Sequence, residues 1–583
     1  MSCGGGTPPR VWSPRARGVA VETASGRVPL APAGGGWWAG ASALPPGTDY
    51  RLSVDGHPGL PDPRSPHQPE GVHGPSRTVD GEAHAWGDAS WAGAELADAV
   101  LYELHVGTFT REGTFDAAIA RLGHLVDLGV TAVEIMPVAE FPGDRGWGYD
   151  GVDLYAPHHA YGGPDGLRRL VDACHARGLA VVLDVVYNHL GPDGNYLGAY
   201  GPYFTDRHRT PWGEAINLDG PESDEVRAFI VDNALMWLRD FHLDGLRLDA
   251  VHAIVDTSAV HVLEELATRV RALEAELERR LWLIAESDLN DPRLLRDVAH
   301  GGYALDGQWC DDFHHALHAV LTGERTGYYQ DFGRLEDLAT ALRRAYVFDG
   351  RYARYRRRHF GRPAGDLDAS RFVVCLQNHD QVGNRAAGER SSALMSTGLL
   401  EVGAAMVLTA PFVPMLFQGE EWGASTPFLY FTDHRDPMLA RAVSQGRRRE
   451  FAAFGWDESA VPDPQSESSF TRSRLDWEEP RREPHARLLA WHRELIALRR
   501  RLPQLRGGEL GAVWVRFDER ERWLVTERGG VAVAANLGAR AARIPFGSPG
   551  PGDVLLASAD PVARSGDCLV VPPESAAVLD QSI

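Results

Sequence analysis

The sequence contains no lysine, and its 59 basic side chains, histidine aside, are all arginines. We attribute this to a coding bias, and it decides nothing about mechanism. Cysteine is also scarce, with five widely scattered residues and no CxxC pair. An odd number at such spacing is unlike a disulfide framework or a metal knuckle. We therefore expect reduced thiols at these positions: Cys3, Cys174, Cys310, Cys375 and Cys568.

Long apolar runs are likewise absent. Neither the first segment, MSCGGGTPPRVWSPRARG, nor any later one reaches the length of a signal peptide core or a membrane span. We therefore expect no membrane association and a cytoplasmic location. The chain carries 80 acidic residues and a net charge of −21, which does not favour a positively charged surface for binding nucleic acid. A neutral substrate fits this charge better than a polyanion.

The 583 residues exceed what one hydrophobic core normally serves, so we expect several domains. Residues 1–93 contain short alternating runs such as YRLSVDG and predict an N-terminal β-sandwich. Trp37 and Trp38 in this part fit either glycan contact or a buried core pair. Residues 505–583 contain runs such as AVWVRF and VAVAANL and predict a C-terminal β-sandwich.

Between them, residues 94–504 alternate short apolar β runs with amphipathic helical stretches. In the segment FDAAIARLGHLVDLG, for example, Ala118, Leu122, Leu125 and Val126 form an apolar stripe. Eight such units in order predict the α/β class and a closed (β/α)₈ TIM barrel. A long Gly-rich and aromatic loop, at about residues 190–222, follows the third strand. The eight runs are AVLYELHV, AVEIMPV, AVVLDVVYNH, GLRLDAV, LWLIAES, GQWCDD, FVVCLQNHD and VPMLFQG.

Polar side chains follow four of these strands. The third run ends in DVVYNH, the fourth in GLRLDAVH, the fifth in IAES and the seventh in QNHDQ. In such a barrel the catalytic groups project from the carboxyl ends of the strands. Asp249 shares a strand face with Arg247, which favours its ionised form, whereas Glu286 has apolar sequence neighbours that raise the pKa of a carboxyl group.

Two carboxylates in contrasting environments indicate glycoside cleavage. Neighbouring strands should bring Asp249 and Glu286 to roughly 5 to 5.5 Å, the separation used by retaining enzymes. Asp380 would face them from the seventh strand and bind sugar hydroxyls with His189 and His379. An Arg-x-Asp pair can also be a buried structural ion pair. For Asp184, a supporting bond to Arg247 and a substrate contact remain equally open.

The four motifs, in this order, resemble the signature regions of the α-amylase superfamily over about residues 95–500. The resemblance implies that Asp249 is the nucleophile, Glu286 the acid/base and Asp380 the transition-state stabiliser. It also implies that Arg247, His189 and His379 grip the bound glucosyl ring and that Tyr149 of WGYDG forms an aromatic platform under it. The expected substrate-binding set comprises Tyr149, His189, Arg247, His252, His379, Asp311 and Gln381.

Within the superfamily, five segments look like the maltooligosyltrehalose trehalohydrolase family. The implied reaction is hydrolysis of the α-1,4 bond next to a terminal trehalose, on maltooligosyltrehalose or other α-1,4-glucans, alongside a maltooligosyltrehalose synthase. Glycogen branching, debranching of α-1,6 bonds and a non-catalytic glycan-binding role remain alternatives. HDQVGNR departs from the HDEV pattern of branching enzymes. The five segments are PVAEFPGDRGWGYDGVDLYAPHHAYGGP, AESDLNDPR, WCDDFHHALH, LQNHDQVGNR and FQGEEWGASTPFLYFTDH.

No cofactor and no required metal are predicted. His314 and His318 have helical i, i+4 spacing and could bind a metal, but we favour a sugar-binding or surface role at the mouth of the sixth strand. Asn188 occupies a position that often serves calcium in amylases, yet the sequence does not supply a full oxygen cage. Sugar stacking and core packing are equally expected for four tryptophans: Trp147, Trp212, Trp309 and Trp422.

Overall fold

Eight short parallel strands close into a barrel in the computed structural model, which describes residues 8–210, 213–452, 461–547 and 550–581. Every residue of these strands is buried, because helices cover the outside and side chains fill the inside. Each strand lies within one of the predicted runs, so the predicted (β/α)₈ barrel is confirmed. The strands are β1 (Leu101–Leu104), β2 (Ala132–Ile135), β3 (Ala180–Val185), β4 (Gly245–Leu248), β5 (Trp282–Ala285), β6 (Gly307–Trp309), β7 (Phe372–Cys375) and β8 (Val413–Phe417).

An outer layer of helices surrounds the barrel. The predicted stripe after β1 is partly wrong: the segment forms two helices, and Val126 is 42% exposed, whereas Leu128 packs inward. The chain turns at Ala120 and Arg121, which rotates the second helix relative to the first. The main helices are Phe115–Ile119, Leu122–Leu128, Gly163–His175, Ser223–Asp240, Val262–Leu277, Asp311–Thr322, Leu335–Arg344, Thr397–Leu408 and His485–Arg501.

The strand register places charged residues side by side inside the barrel. Asp184 of β3 pairs with Arg247 of β4, and Glu103 of β1 pairs with Glu134 of β2. Paired residues on parallel neighbours point to the same side of the sheet. The register alone therefore brings one arginine and three acids towards the barrel axis.

Two β-sheet pairs flank the barrel in sequence. The C-terminal pair encloses an apolar cluster that includes Val525, Ile544 and Leu569. Trp38 donates its indole N–H to the Ser13 carbonyl, and both Trp37 and Trp38 are half-buried against the core. In the N-terminal pair, one sheet contains Arg10–Trp12, Trp37–Ala39 and Ala31–Gly34, and the other contains Gly26–Pro29, Val19–Thr23, Asp49–Val54 and Ser76–Arg77. In the C-terminal pair, one sheet contains Trp514–Asp518, Trp523–Arg528, Val531–Asn536, Ser575–Asp580 and Asp553–Ala557, and the other contains Ala542–Pro545, Cys568–Val571 and Ala563–Ser565.

Shorter elements shape the rim above the barrel. The long loop after β3 holds a helical turn and an antiparallel hairpin, and a second hairpin lies between β6 and β7. Across the described residues, no helix has the combined length and apolarity that a membrane crossing needs. The short helices are Val106–Phe109, Leu197–Tyr200, His379–Gly383, Ser391–Leu394 and Glu467–Arg472, and a longer helix is Pro437–Ala452. The paired strands are Ala139–Glu140 with Asp153–Pro157, Phe204–Thr210 with Gly213–Ile216, and Tyr352–Ala353 with Arg358–His359.

Candidate active site

A cavity of about 920 Å³ opens at the carboxyl ends of the barrel strands. Nine of the ten predicted site residues line it, although they come from six different βα connections. Polar groups converging in a large cleft at this end of a barrel are typical of an active site. The nine are Tyr149, His189, Asp249, His252, Glu286, Asp311, His379, Asp380 and Gln381.

Arg247 is the one predicted site residue that does not line the cavity, because its side chain is fully buried beside Asp249. Its Nη1 donates to Asp249 Oδ1 and to both oxygens of Asp184, each at 2.8 Å. Its Nη2 lies 3.8 Å from Glu286 Oε2. One guanidinium thus links the two candidate catalytic carboxylates, and Asp184 supports it from below.

The second oxygen of Asp249 is also held. Asn188 Nδ2 donates to Asp249 Oδ2 at 2.6 Å and to the Asp249 carbonyl at 2.9 Å. His189 Nδ1 lies 2.5 Å from Asn188 Oδ1, which fixes the amide. Asn188 therefore holds the carboxylate of Asp249 in place. Donors on both oxygens stabilise the negative charge and fix the direction in which this carboxylate can attack.

Glu286 lies in the opposite electrostatic situation. Burial raises the pKa of its carboxyl group well above the ordinary value, and the charges of Asp249, Asp380 and Asp311 add to that effect against the opposing charge of Arg247. The backbone N–H of Ala250 donates to Glu286 Oε2 at 2.5 Å. Glu286 is therefore favoured in its acid form, beside an aspartate whose charge is compensated.

An aromatic and imidazole face completes the pocket around Asp249. Tyr149 Oη donates to Asp184 Oδ2 at 2.6 Å and lies 2.7 Å from His379 Nε2. The two rings stack with centroids 5.1 Å apart. Asp380 is the most exposed of the three candidate catalytic acids, with 40% of its side chain accessible and Oδ1 3.5 Å from His379 Nε2. All three side chains line the same cavity as Asp249.

Sequence reasoning missed a second wall on the side of β5 and β6. Arg356 reaches the cavity from the hairpin between β6 and β7 and donates to Asp288 Oδ2 at 2.7 Å. Nothing in the sequence indicated that this distant arginine returns to the barrel mouth. Asp288, by contrast, follows Glu286 by two residues and could have been inferred from strand alternation. Further lining residues that were missed are His315, Tyr328, Tyr355, Asn384, Tyr430 and Arg447.

Several predicted sugar contacts fall elsewhere. His314 and His318 are buried and bond to Tyr329 and Glu324, because the helix turns His315 towards the cavity instead. Of the tryptophans, Trp147 lines the cavity, and Trp212 lies outside the described residues. Trp309 belongs to β6 and packs under Arg247 with 4.3 Å to its ring centroid, whereas Trp422 is fully buried and bonds to Glu479.

One group of close potential metal donors occurs in the part of the chain that the structure describes, away from this cavity. It comprises Glu140, His158 and His159. Both histidines place Nδ1 against Glu140 Oε1, at 3.1 and 2.7 Å, and His159 Nε2 lies 3.2 Å from Asp144. Hydrogen bonds account for this cluster, so we assign no ion to it.

The position of Tyr149 depends on a glycine before it. Gly148 has φ +98°, and an added Cβ would lie 2.1 Å from the Pro137 carbonyl oxygen. We expect Gly148→Ala to lower the free energy of unfolding by about 2–3 kcal/mol and to raise KM, because Tyr149 would be displaced. Urea unfolding and steady-state kinetics measure both. Gly198→Ala is the control, since nothing lies within 4 Å of its added Cβ; equal behaviour of the two variants would contradict the argument.

The arrangement as a whole suits substitution at an anomeric carbon. It combines an aspartate whose charge is compensated by Arg247, a glutamate with a raised carboxyl pKa on the adjacent strand and a third acid in the same cavity. This is the carboxylate pattern of glycoside hydrolysis.

The chain resembles known proteins over its whole length. The family model for the alpha amylase catalytic domain matches residues 75–201, and a domain of unknown function, DUF3459, matches residues 508–578. The malto-oligosyltrehalose trehalohydrolase of Arthrobacter ramosus is 54% identical over 94% of this chain and 95% of its own. The trehalohydrolase of Rhizobium sp. (strain M-11) is 51% identical over 98% and 97% of the two chains.

A solved structure from Salmonella typhimurium, described by its name as an alpha amylase, has 38% identity and covers 99% of both chains. Its TM-score of 0.91 shows that the arrangement of barrel and flanking sheets is shared. Together with the active-site geometry, these matches show that the chain is a glycoside hydrolase of the α-amylase superfamily and belongs to its malto-oligosyltrehalose trehalohydrolase family.

Proposed function

We propose that the chain cleaves the α-1,4 bond next to the terminal trehalose of maltooligosyltrehalose and releases trehalose and a maltooligosaccharide, with retention of configuration. One observation supports the chemistry above all. Arg247 contacts Asp249 at 2.8 Å and lies 3.8 Å from Glu286, so both carboxylates face one cavity from neighbouring strands. Membership of the trehalohydrolase family supports maltooligosyltrehalose as the substrate.

In the first step, Asp249 attacks the anomeric carbon and forms a covalent glycosyl ester, while Glu286 donates its proton to the departing glucosidic oxygen. In the second step, the Glu286 carboxylate removes a proton from water, and the water oxygen displaces Asp249. Because the Ala250 N–H donates to Glu286 Oε2, the proton that Glu286 transfers is carried by Oε1. Asp380 binds ring hydroxyls and stabilises the oxocarbenium-like transition state.

The leaving trehalose fits the side of β5 and β6. The donor ring must lie over Asp249 beside Tyr149 and His379, so the bond protonated by Glu286 points towards the opposite wall. That wall carries Asp288 and Arg356, and also Asp311, whose pKa is raised to about 7 by burial and by the charge of Asp288. Hydroxyl-rich trehalose suits such a polar, hydrogen-bonding surface.

Arg356→Met tests this assignment. The Arg356 guanidinium lies over the Phe360 ring at 4.1 Å, and methionine offers an unbranched apolar side chain to pack on that ring while it removes the charge. We expect kcat/KM for maltooligosyltrehalose to fall about 10- to 100-fold, since a charge-assisted hydrogen bond is lost, and to fall less for plain maltooligosaccharide. Arg351→Met, an exposed residue of the same segment paired with Asp349, is the control. An equal loss of kcat/KM for both substrates would show that Arg356 does not contact the trehalose unit.

The function itself is tested by product analysis. The protein is incubated with maltooligosyltrehalose and, separately, with maltooligosaccharide of equal length, and the products are separated by chromatography. We expect free trehalose from the first and slow cleavage of the second. Branched products would instead indicate glucan transfer, and indifferent internal cutting would indicate an ordinary amylase.

Three further assignments belong to this proposal. We propose domains at residues 1–93, 94–504 and 505–583, with the loop of residues 190–222 as a subdomain, in line with the separate sheet pairs. We propose a cytoplasmic location, which the four free, buried cysteines of the described chain suit. We also propose a synthase that acts before this enzyme, because a glucan must first be rearranged at its reducing end to carry trehalose.

A further inference from the structure

A buried glutamate at the end of β1 is wholly engaged with His379. Glu103 is 1% exposed. Its Oε1 lies 2.5 Å from His379 Nδ1, and its Oε2 accepts the His379 backbone N–H at 3.0 Å. Both carboxylate oxygens therefore bind the same residue, whose ring lies in the cavity wall. Neither the predicted site nor the mechanism above uses Glu103.

Proton counting fixes the state of the His379 ring. The single hydroxyl proton of Tyr149 goes to Asp184 Oδ2 at 2.6 Å, because Asp184 is an acceptor held by Arg247. His379 Nε2 lies only 2.7 Å from the same Tyr149 oxygen, so a hydrogen must lie between them and it must come from the imidazole. Nδ1 faces the Glu103 carboxylate and needs a proton as well. Both ring nitrogens are donors.

The surrounding charges agree with this count. Burial lowers the pKa of His379 and Arg247 opposes protonation, but the carboxylates of Asp380 and Glu103 outweigh both and raise the pKa from 6.5 to about 9. The titratable groups that face His379 come from the ends of β1, β2, β3, β4 and β7 and from the loop after β2. They are Glu103, His105, Glu134, Asp184, Arg247, Asp380 and Tyr149.

We propose that Glu103 is a positioning residue that keeps His379 doubly protonated, so that Nε2–H always donates to Tyr149 Oη and the imidazolium keeps its positive charge beside the bound glucosyl ring. The effect of Glu103 on catalysis rests on the proposed glycosidase function, whereas its contacts with His379 do not. With a neutral His379 protonated only on Nδ1, Nε2 would present a lone pair to Tyr149 Oη, and the tyrosine would lose this donor. Glu103 thus acts on the reaction through His379 without touching the substrate.

Glu134 offers a matched control. It pairs with Glu103 across β1 and β2 and is also 1% exposed, but among the described residues neither of its oxygens has a hydrogen-bond partner. Burial raises the pKa of Glu134 well above the ordinary value, so it is already a neutral acid. Glu134→Gln therefore replaces one neutral group by another, whereas Glu103→Gln removes a charge from His379.

The first measurement needs no substrate. A histidine whose pKa is 9 in the folded and 6.5 in the unfolded chain adds stability that is complete below pH 6.5 and lost as the pH rises through 9. The Tm of the wild type should therefore exceed that of Glu103→Gln most at pH 6.5, and this gap should shrink by more than half at pH 9. The gap to Asp116→Ala, which removes an exposed aspartate whose pKa the Arg169 hydrogen bond holds below its ordinary value, should not change between these pH values. A constant gap for Glu103→Gln overturns the proposal. Should Glu103→Gln not fold, Glu103→Asp replaces it, because the shorter carboxylate cannot keep both the 2.5 Å contact to Nδ1 and the 3.0 Å bond to the backbone N–H, and the gap should narrow in the same direction.

The second measurement is the pH dependence of kcat/KM for α-maltosyl fluoride, whose leaving group needs no proton from Glu286. We expect Glu103→Gln to move the alkaline limb at least about one unit lower and Glu134→Gln to leave it in place. A limb that does not move in Glu103→Gln overturns the proposal. Absence of turnover by the wild type would count against the proposed function instead, and the unfolding comparison would still decide the role of Glu103.

Discussion

Asp249→Ala is expected to lower kcat by roughly 10⁴-fold or more, because no other group can form the glycosyl ester. The variant should fold, since Arg247 keeps both contacts to Asp184 at 2.8 Å. Turnover of maltooligosyltrehalose, with Tm as the check on folding, measures this. Asp116→Ala, an exposed aspartate paired with Arg169 outside the barrel, is the matched control and should keep full activity.

The stereochemistry of chemical rescue sharpens this test. Azide enters the space left by the Asp249 carboxylate and attacks from the same face, so Asp249→Ala should convert α-maltosyl fluoride into the β-glycosyl azide. An α-glycosyl azide, or surviving hydrolysis at more than about one-hundredth of the wild-type rate, would remove Asp249 from the role of nucleophile.

Glu286→Gln should have the next largest effect. Glutamine keeps the bond from the Ala250 N–H but has no proton to give, so cleavage of maltooligosyltrehalose should fall roughly 10²- to 10⁴-fold. Formation of the glycosyl-enzyme from α-maltosyl fluoride should be affected far less, because fluoride departs without protonation. Burst kinetics with the fluoride measures that step separately from the hydrolysis that follows.

The pH profile gives an independent check on Glu286. Since burial raises the pKa of this carboxyl group well above the ordinary value, the acid form persists to higher pH than in an ordinary glutamate, and activity declines as the pH rises through that pKa. Glu286→Gln should lack this decline on maltooligosyltrehalose. Equal losses on both substrates, with the alkaline limb unchanged, would contradict its assignment as the acid.

The barrel was predictable because its strands are buried on both faces and therefore appear as unbroken apolar runs. The candidate carboxylates were predictable for a related reason. Asp249, Glu286 and Asp380 stand where such runs end, and strand alternation alone places Arg247 on the same face as Asp249. Strand alternation does not predict how deeply a side chain is buried below the cavity. It did not separate Arg247, buried under the floor, from the residues that line the cavity.

The remaining site residues depend on contacts between distant parts of the chain. Glu103 and His379 are 276 residues apart, and nothing local to LYELHV indicates that its glutamate meets an imidazole. Arg356 arrives on a hairpin whose path was not predictable. The choice among His314, His315 and His318 needed the rotation of one helix, which i, i+4 spacing does not supply.

The most direct test of two carboxylates acting in sequence on one anomeric carbon is the configuration of the first product. Proton NMR, recorded before mutarotation, identifies the anomer of the new reducing end on the maltooligosaccharide released from maltooligosyltrehalose. Double displacement through Asp249 predicts the α-anomer. An initial β-anomer would mean that water attacks directly, and the covalent role of Asp249 would be wrong.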